Sequence, residues 1–346
     1  MAAEVFSPRE RLTRVLTGKK VERPPVICPG GMMNSAIVEV MTKEDHVLPD
    51  AHHSAEKMSA LAADVYKYTG FENFGIPFCM TIEAEVLGSE INYGTLECEP
   101  KIQKEKFASV SQVNFRPYGI MEKNNRVGAV VQSIYNLSKK YPDVPAIGSL
   151  TGPISTAASI VDPMTFLKEL RKDKVNSHKV LDYVTNHLLE FARLMADNGA
   201  SAISIADPTA TGEILGPKMF EEYAVPYLNR LVDGIHEMGI PAIIHICGHM
   251  DMVKSSCAKF HSNALSVDAF VSLKKIKDEY NQITTMGNLS TFMLEQADEK
   301  AIVQRTEHLV RDNINIIAPA CGLSTSTPLK NLVAFTETVK NSSEKK

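Results

Sequence analysis

The chain has 346 residues, a formal net charge of −4 and 44% hydrophobic residues, a globular composition with ample length for a large core. Mild acidity without a basic stripe interleaved with aromatics argues against a nucleic-acid binder. No apolar run is long enough to span a membrane.

In chain order, Met1 to Arg14 is polar and charged and does not read as an export signal. Ser7-Pro8-Arg9-Glu10 predicts a helix start, with serine at the cap, proline at the first helical position and glutamate at the third. The region up to about Val65 is expected to be a largely helical lead-in packed on the main body. Short apolar runs then alternate with longer amphipathic stretches. Strands are predicted at residues 25–28, 146–150, 202–206, 242–246, 264–267, 283–286 and 316–319, and helices at 177–197, 220–238 and 298–312. The chain is expected to fray from Asn341 onward. This alternation predicts parallel α/β structure, and the placement of chemistry after strands favours a (β/α)8 TIM barrel forming a single domain over residues 1–346. A doubly wound nucleotide-binding sheet would need a glycine fingerprint after its first strand. Pro29-Gly30-Gly31-Met32 is not GxGxxG, and no Walker A motif occurs.

Two strand ends carry soft metal donors. His245 and Cys247 close an apolar run and, two apart on a strand, point the same way. Cys321-Gly322 closes the run that begins at Asn315. One imidazole and two thiolates suit zinc and leave one coordination position open for chemistry. On spacing alone, the cysteines also read as small buried hydrophobes and His245 as a satisfied core histidine. The six cysteines (28, 79, 98, 247, 257 and 321) are scattered along a chain without an export signal, as expected for reduced thiols in the cytoplasm.

Several further motifs occur in order. They are Ser7 to Arg11 with Val21 to Val26; Ser149-Leu150-Thr151-Gly152-Pro153; Leu215 to Tyr223 with Pro226-Tyr227; His245 to Gly248; Gly287-Asn288-Leu289; and Ala318 to Gly322. With them the chain resembles the uroporphyrinogen decarboxylase superfamily over nearly its whole length. Within that superfamily it is similar to the zinc-dependent methylcobamide:coenzyme M methyltransferases. The decarboxylases need arginines after the first strand and an aspartate in the next strand region. Here those places read Cys28-Pro29-Gly30-Gly31-Met32-Met33-Asn34 and Pro77-Phe78-Cys79-Met80-Thr81, which leaves a polycarboxylate tetrapyrrole without an obvious partner.

The resemblance implies a site at the C-terminal ends of the barrel strands, with zinc on His245, Cys247 and Cys321. These three would act catalytically by activating a substrate thiol in the open position. The methyl group would come from a methylcobamide carried by a separate corrinoid protein. The thiol would be coenzyme M; a homocysteine-like thiol or tetrahydrofolate is an alternative acceptor. Tetrapyrrole decarboxylation or a non-catalytic corrinoid-protein-binding module with a closed four-ligand zinc are further alternatives. Asp207 reads equally as a functional group or as a cap before Pro208. Glu83 and Glu85, two apart near an expected strand end, could face the pocket together. Asn288 could cap a loop or touch substrate, and Cys79 is the remaining cysteine best placed to line the pocket. His249 reads as a neighbour of the site. The near-match to a corrinoid signature at Asp50-Ala51-His52 lacks its glycine and is read as chance. The Gly30–Met33 segment, if exposed, could belong to a docking surface.

Overall fold

A computed structural model describes residues 5–342 of the chain. A parallel sheet runs β1 (Phe74–Ile76), β4 (Ala146–Thr151), β5 (Ala202–Ala206), β6 (Ala242–Ile246), β7 (Ala264–Val267), β8 (Thr285–Leu289) and β9 (Ile316–Pro319), in that spatial order. Every residue of the strands from β4 to β9 is buried. Helices cover the outer face and side chains fill the inner one, so these strands read as continuous apolar runs.

Residues 25–28 close the ring. Ile27 N–H donates to Ile317 O (3.0 Å), Ile317 N–H to Pro25 O (2.9 Å) and Glu72 N–H to Val26 O (2.9 Å). This places the segment between β9 and β1 as the eighth member of a (β/α)8 barrel. The lead-in is therefore not wholly outside the barrel. Its helices, Pro8–Leu16, Val38–Met41 and Ala55–Thr69, flank a segment that belongs to the wall.

Four of the strands fall at the predicted bounds. The expected strand at 283–286 begins later, at Thr285, and runs to Leu289. A buried asparagine in an apolar strand is a poor sequence signal. Asn288 is tolerated because its Nδ2 donates to Asp268 O and Val271 O, both at 2.8 Å. The expected helix at 220–238 is a π turn, Phe220–Ala224, followed by Val225–Glu237. Pro226 has no N–H for the carbonyl four residues back, which loosens the turn before it. The strand end expected near Glu83 lies earlier, at Ile76 of β1, and no signal marks the hairpin of β2 (Glu90–Asn92) and β3 (Lys101–Lys104). β1 is three residues long and the hairpin is largely exposed, so neither shows a useful apolar period.

The expected capping box is present. Glu10 N–H donates to Ser7 Oγ (3.3 Å) and Ser7 N–H to Glu10 Oε2 (2.9 Å). The same stretch supplies a buried ion network. Glu72 Oε1 accepts from Arg11 Nη1 and Arg23 Nη2, both at 2.7 Å, and Glu72 Oε2 accepts from Arg23 Nη1 and Val26 N–H, both at 2.9 Å. The N-terminal motif thus pins the lead-in to the barrel wall. At the other end, Asn341 and Ser342 continue past the helix Leu329–Lys340 as a short turn. Residues 343–346, where further fraying is expected, lie outside the described residues.

Candidate metal centre

β6 and β9 are separated by two strands in the ring, yet both end at the same mouth. His245 is in β6, Cys247 follows it, and Cys321 lies two residues beyond β9. Their donor atoms all lie within 4.8 Å of one another, with His245 Nε2 3.2 Å from Cys247 Sγ. Among the described residues this is the one cluster of three His, Cys, Asp or Glu donors so arranged. His245 is fully buried, while the two cysteines are half-buried.

The imidazole is oriented by its neighbour in the sheet. His245 pairs with Ser266 of β7 in parallel register, and its Nδ1 lies 2.9 Å from Ser266 Oγ. A proton on Nδ1 directed at Ser266 leaves the Nε2 lone pair facing the thiols. The neighbouring sulfurs bias each other, holding Cys321 below the ordinary thiol value and Cys247 above it, with burial raising both. A divalent cation would favour deprotonation of both. Two thiolates and a neutral imidazole converging at the open end of a barrel fit zinc.

The glycine after each cysteine has a steric reason. A Cβ at Gly322 would lie 2.5 Å from Met32 O, and one at Gly248 would lie 2.3 Å from Glu213 Oε2, where φ is also +72°. Asp268, just past β7, accepts from Gly248 N–H at 3.3 Å and steadies the loop behind Cys247.

The other candidates separate. Asp207 is a cap: its carboxylate accepts from Ile154 N–H (3.0 Å), Ser155 N–H (2.8 Å) and Ser155 Oγ (2.6 Å) at the start of the helix Pro153–Ile160. Burial raises it to about 6, and its charge adds to the upward push on Cys247. Glu83 and Glu85 do not face one pocket. They lie on a helix, Ile82–Val86, where residues two apart point about 200° from each other rather than the same way. Glu83 turns inward to Thr151, accepting from its N–H (2.7 Å) and Oγ1 (3.2 Å). Glu85 pairs with the buried Arg126, whose Nη2 also sits 3.0 Å from Cys79 Sγ. Cys79 is buried beside that guanidinium and outside the metal cluster. Asn288 clamps the loop after β7. His249 is exposed, its ring 4.9 Å from that of Phe270. The Gly30–Met33 segment is buried apart from half-buried Met32, so it offers no free docking surface. A cleft of about 570 Å³, lined by residues such as Val15, Lys277 and Asn315, opens at the opposite end of the barrel and brings no comparable donors together.

Sequence reasoning missed Ser266, Asp268, Arg126 and Met32. A serine in a strand or an arginine at a helix start carries no functional signal by itself. Asp268, directly after a strand that lines the mouth, was the most recoverable.

Two expected results follow from these contacts. Ser266→Ala should lower metal affinity about 10–100-fold by freeing the imidazole, measured by competition with a chromogenic chelator. Unchanged affinity would remove Ser266 from the site. For Glu83, burial outweighs its hydrogen bonds and raises the carboxyl to about 7 from 4.5. Its folded value exceeds its unfolded one, so its contribution to stability is full below about pH 4.5 and declines as pH rises through about 7. Glu83→Gln should therefore gain stability relative to the parent between pH 5 and 8, by up to about 3 kcal/mol. Parallel denaturant curves for the two proteins would refute this assignment.

Fold and site define a (β/α)8 barrel with a three-donor His/Cys/Cys centre at its C-terminal mouth. The uroporphyrinogen decarboxylase (URO-D) family model matches residues 7–342, and the chain belongs to that family. It is 32% identical to a methylcobamide:CoM methyltransferase of Methanosarcina acetivorans, over 97% of this chain and 98% of the relative. It is 25% identical to a uroporphyrinogen decarboxylase of Prochlorococcus marinus over 92% of this chain and 94% of the relative. A solved methyltransferase from Methanosarcina mazei superposes with a TM-score of 0.91 at 28% identity, covering 97% of this chain and 99% of that one.

Proposed function

We propose that this protein is a zinc-dependent methyltransferase that moves a methyl group from a methylated corrinoid to a thiol, with coenzyme M as the acceptor. The observation that carries the proposal is the convergence of His245, Cys247 and Cys321 at the barrel mouth, in a chain similar to methylcobamide:CoM methyltransferases over almost its full length. A zinc ion held there would act as a Lewis acid that lowers the pKa of a bound thiol and keeps its sulfur nucleophilic at neutral pH.

The chain's own residues prepare this. Ser266 fixes the ring of His245, so Nε2 needs no reorientation on binding. Cys247 and Cys321 supply negative charge that leaves electron density on a third sulfur. Asp207 and Asp268 add charge behind Cys247 without offering themselves as ligands. Arg126 is neutralised by Glu85, which fits poorly with recognition of a many-carboxylate tetrapyrrole. The protein would work in the cytoplasm; among the described residues no helix is long and apolar enough to cross a membrane.

The methyl donor would arrive on a separate corrinoid protein. Phe270 and Phe292 are 71% and 73% exposed, on the segments that follow β7 and β8, and Met252 is exposed after β6. They line the rim where such a protein would approach. The decisive experiment offers zinc-loaded protein free methylcobalamin with coenzyme M, homocysteine or tetrahydrofolate separately, following the corrinoid absorbance. Zinc-dependent demethylation with coenzyme M alone is expected. Turnover only with another acceptor would move the substrate assignment, and no turnover even with methylated corrinoid protein would refute the reading. Phe270→Asp with Phe292→Asp should slow the reaction with corrinoid protein and spare that with free methylcobalamin.

A further inference from the structure

The turn that follows the first barrel segment reaches across the mouth to the donors. Gly30 and Met33 exchange hydrogen bonds at 3.1 and 2.9 Å. Gly30 and Gly31 have φ of +95° and +59°, a backbone that residues with a Cβ rarely adopt. On the side of β1 and β4 the turn is seated without slack. A Cβ at Gly30 would lie 2.5 Å from Gly75 C, and one at Gly31 2.8 Å from Ser149 Cβ. Gly31 N–H donates to Pro77 O at 2.7 Å, and Ser149 Oγ donates to Pro29 O at 2.9 Å. On the far side, Met33 Sδ lies 4.0 Å from Ser266 Oγ of β7, and the Met33 carbonyl accepts from Cys28 Sγ at 2.9 Å. The turn spans the inside of the ring and has no room to shift as a unit.

Met32, at the tip, covers both cysteines. Its Sδ lies 3.6 Å from Cys247 Sγ, in van der Waals contact. Its carbonyl oxygen would lie 2.5 Å from a Cβ at Gly322, directly after Cys321. Met33 is 1% exposed whereas Met32 is half-buried, so Met32 is the residue of this pair that borders the open mouth. A thiol that joins His245, Cys247 and Cys321 brings its sulfur beside the cysteine sulfurs. The carbon that bears that sulfur then comes into contact with Met32. A single methylene can pass. A second substituent on that carbon has to displace the thioether, and the pinned backbone leaves only the rotamers of the side chain to yield.

We infer that Met32 is a specificity-determining residue that admits primary thiols, unbranched at the carbon bearing sulfur, and rejects secondary ones. The identity of the substrate rests on the thiol-acceptor reading above; the barrier beside Cys247 does not. Coenzyme M and homocysteine are both primary thiols, so both pass this filter. Met32 therefore selects by shape at the reacting end of the acceptor and leaves the charge at its far end to other groups. One methyl group against an apolar wall changes selectivity about 10- to 200-fold, which sets the size of the effect to look for.

Alkylation of the full-length, metal-free protein tests the barrier without turnover. Iodoacetamide and its α-methyl homologue differ by the one methyl group at issue, and peptide mass spectrometry reads each cysteine separately. Exposed Cys98 is the internal control, because it records the intrinsic slowness of the branched reagent. That reagent should be disfavoured at Cys247 at least about 10-fold beyond its handicap at Cys98. Met32→Ala should bring the Cys247 handicap close to that of Cys98. Met32→Leu, which keeps the bulk, should hold it near the parental value, with circular dichroism as the folding control. An equal handicap at the two cysteines of the parent would overturn the inference, and this comparison needs no variant. So would an unchanged handicap in folded Met32→Ala, or a loss in Met32→Leu as large as in Met32→Ala. Turnover with methylcobalamin then reads the substrate. The zinc-loaded parent should prefer coenzyme M over its analogue methylated at the thiol-bearing carbon, and Met32→Ala should narrow that preference about 10-fold. Equal turnover of the two thiols by the parent would overturn the selection. No turnover with either, even with methylated corrinoid protein, would refute the acceptor reading while the barrier at Cys247 would stand.

Discussion

Cys321→Ala is expected to abolish methyl transfer, with turnover falling more than about 1000-fold and zinc affinity at least about 100-fold, while the barrel stays folded. The sulfur is half-buried and follows the last strand instead of lying within it, so its removal leaves the strand ladder intact. The substitution also removes one of the three donors that lie within 4.8 Å of one another. Zinc content measured by mass spectrometry, with circular dichroism as a folding control, reads the two effects separately. Full activity in this variant would refute the ligand assignment. Loss of fold along with zinc would mean instead that the centre is structural.

The second large effect lies away from the mouth. Glu72→Ala should destabilise the protein by about 3–5 kcal/mol. Burial pushes the Glu72 carboxyl up, but Arg23 and Arg11 more than offset it and hold it below its ordinary value. Removing the carboxylate takes that counter-charge from two guanidiniums that are almost fully buried. It also removes the acceptor for Val26 N–H at the segment that closes the barrel. Guanidinium denaturation should report a lower midpoint, and activity at low temperature should survive, since none of these groups reaches the metal donors. A midpoint shift equivalent to less than about 1 kcal/mol would mean that the network contributes little. The N-terminal motif that marks the family in the sequence thus has a structural task.

Strand positions from β4 onward were legible because strands buried on both faces are apolar throughout, and few other patterns produce that. The cluster of candidate donors was legible because His245 and Cys247 share a strand and a face and Cys321 closes a second apolar run. Glu83 and Glu85 were misjudged because two-residue spacing means one face on a strand and nearly opposite faces on a helix; the sequence there carries too few residues to show its period. Asp207 proved to be a cap because its partner, the start of the helix Pro153–Ile160, lies over fifty residues away.

By itself, the sequence determined the barrel class and marked the three candidate donors that the fold brings together at one mouth, because each depends on local pattern or on residue chemistry. The tertiary structure alone decided that Ser266 orients His245, that Arg126 neutralises Glu85, and that Met32 stands beside Cys247 from 215 residues away. These are contacts between elements remote in the chain. They are fixed by strand register and barrel closure, and no local composition or period encodes them.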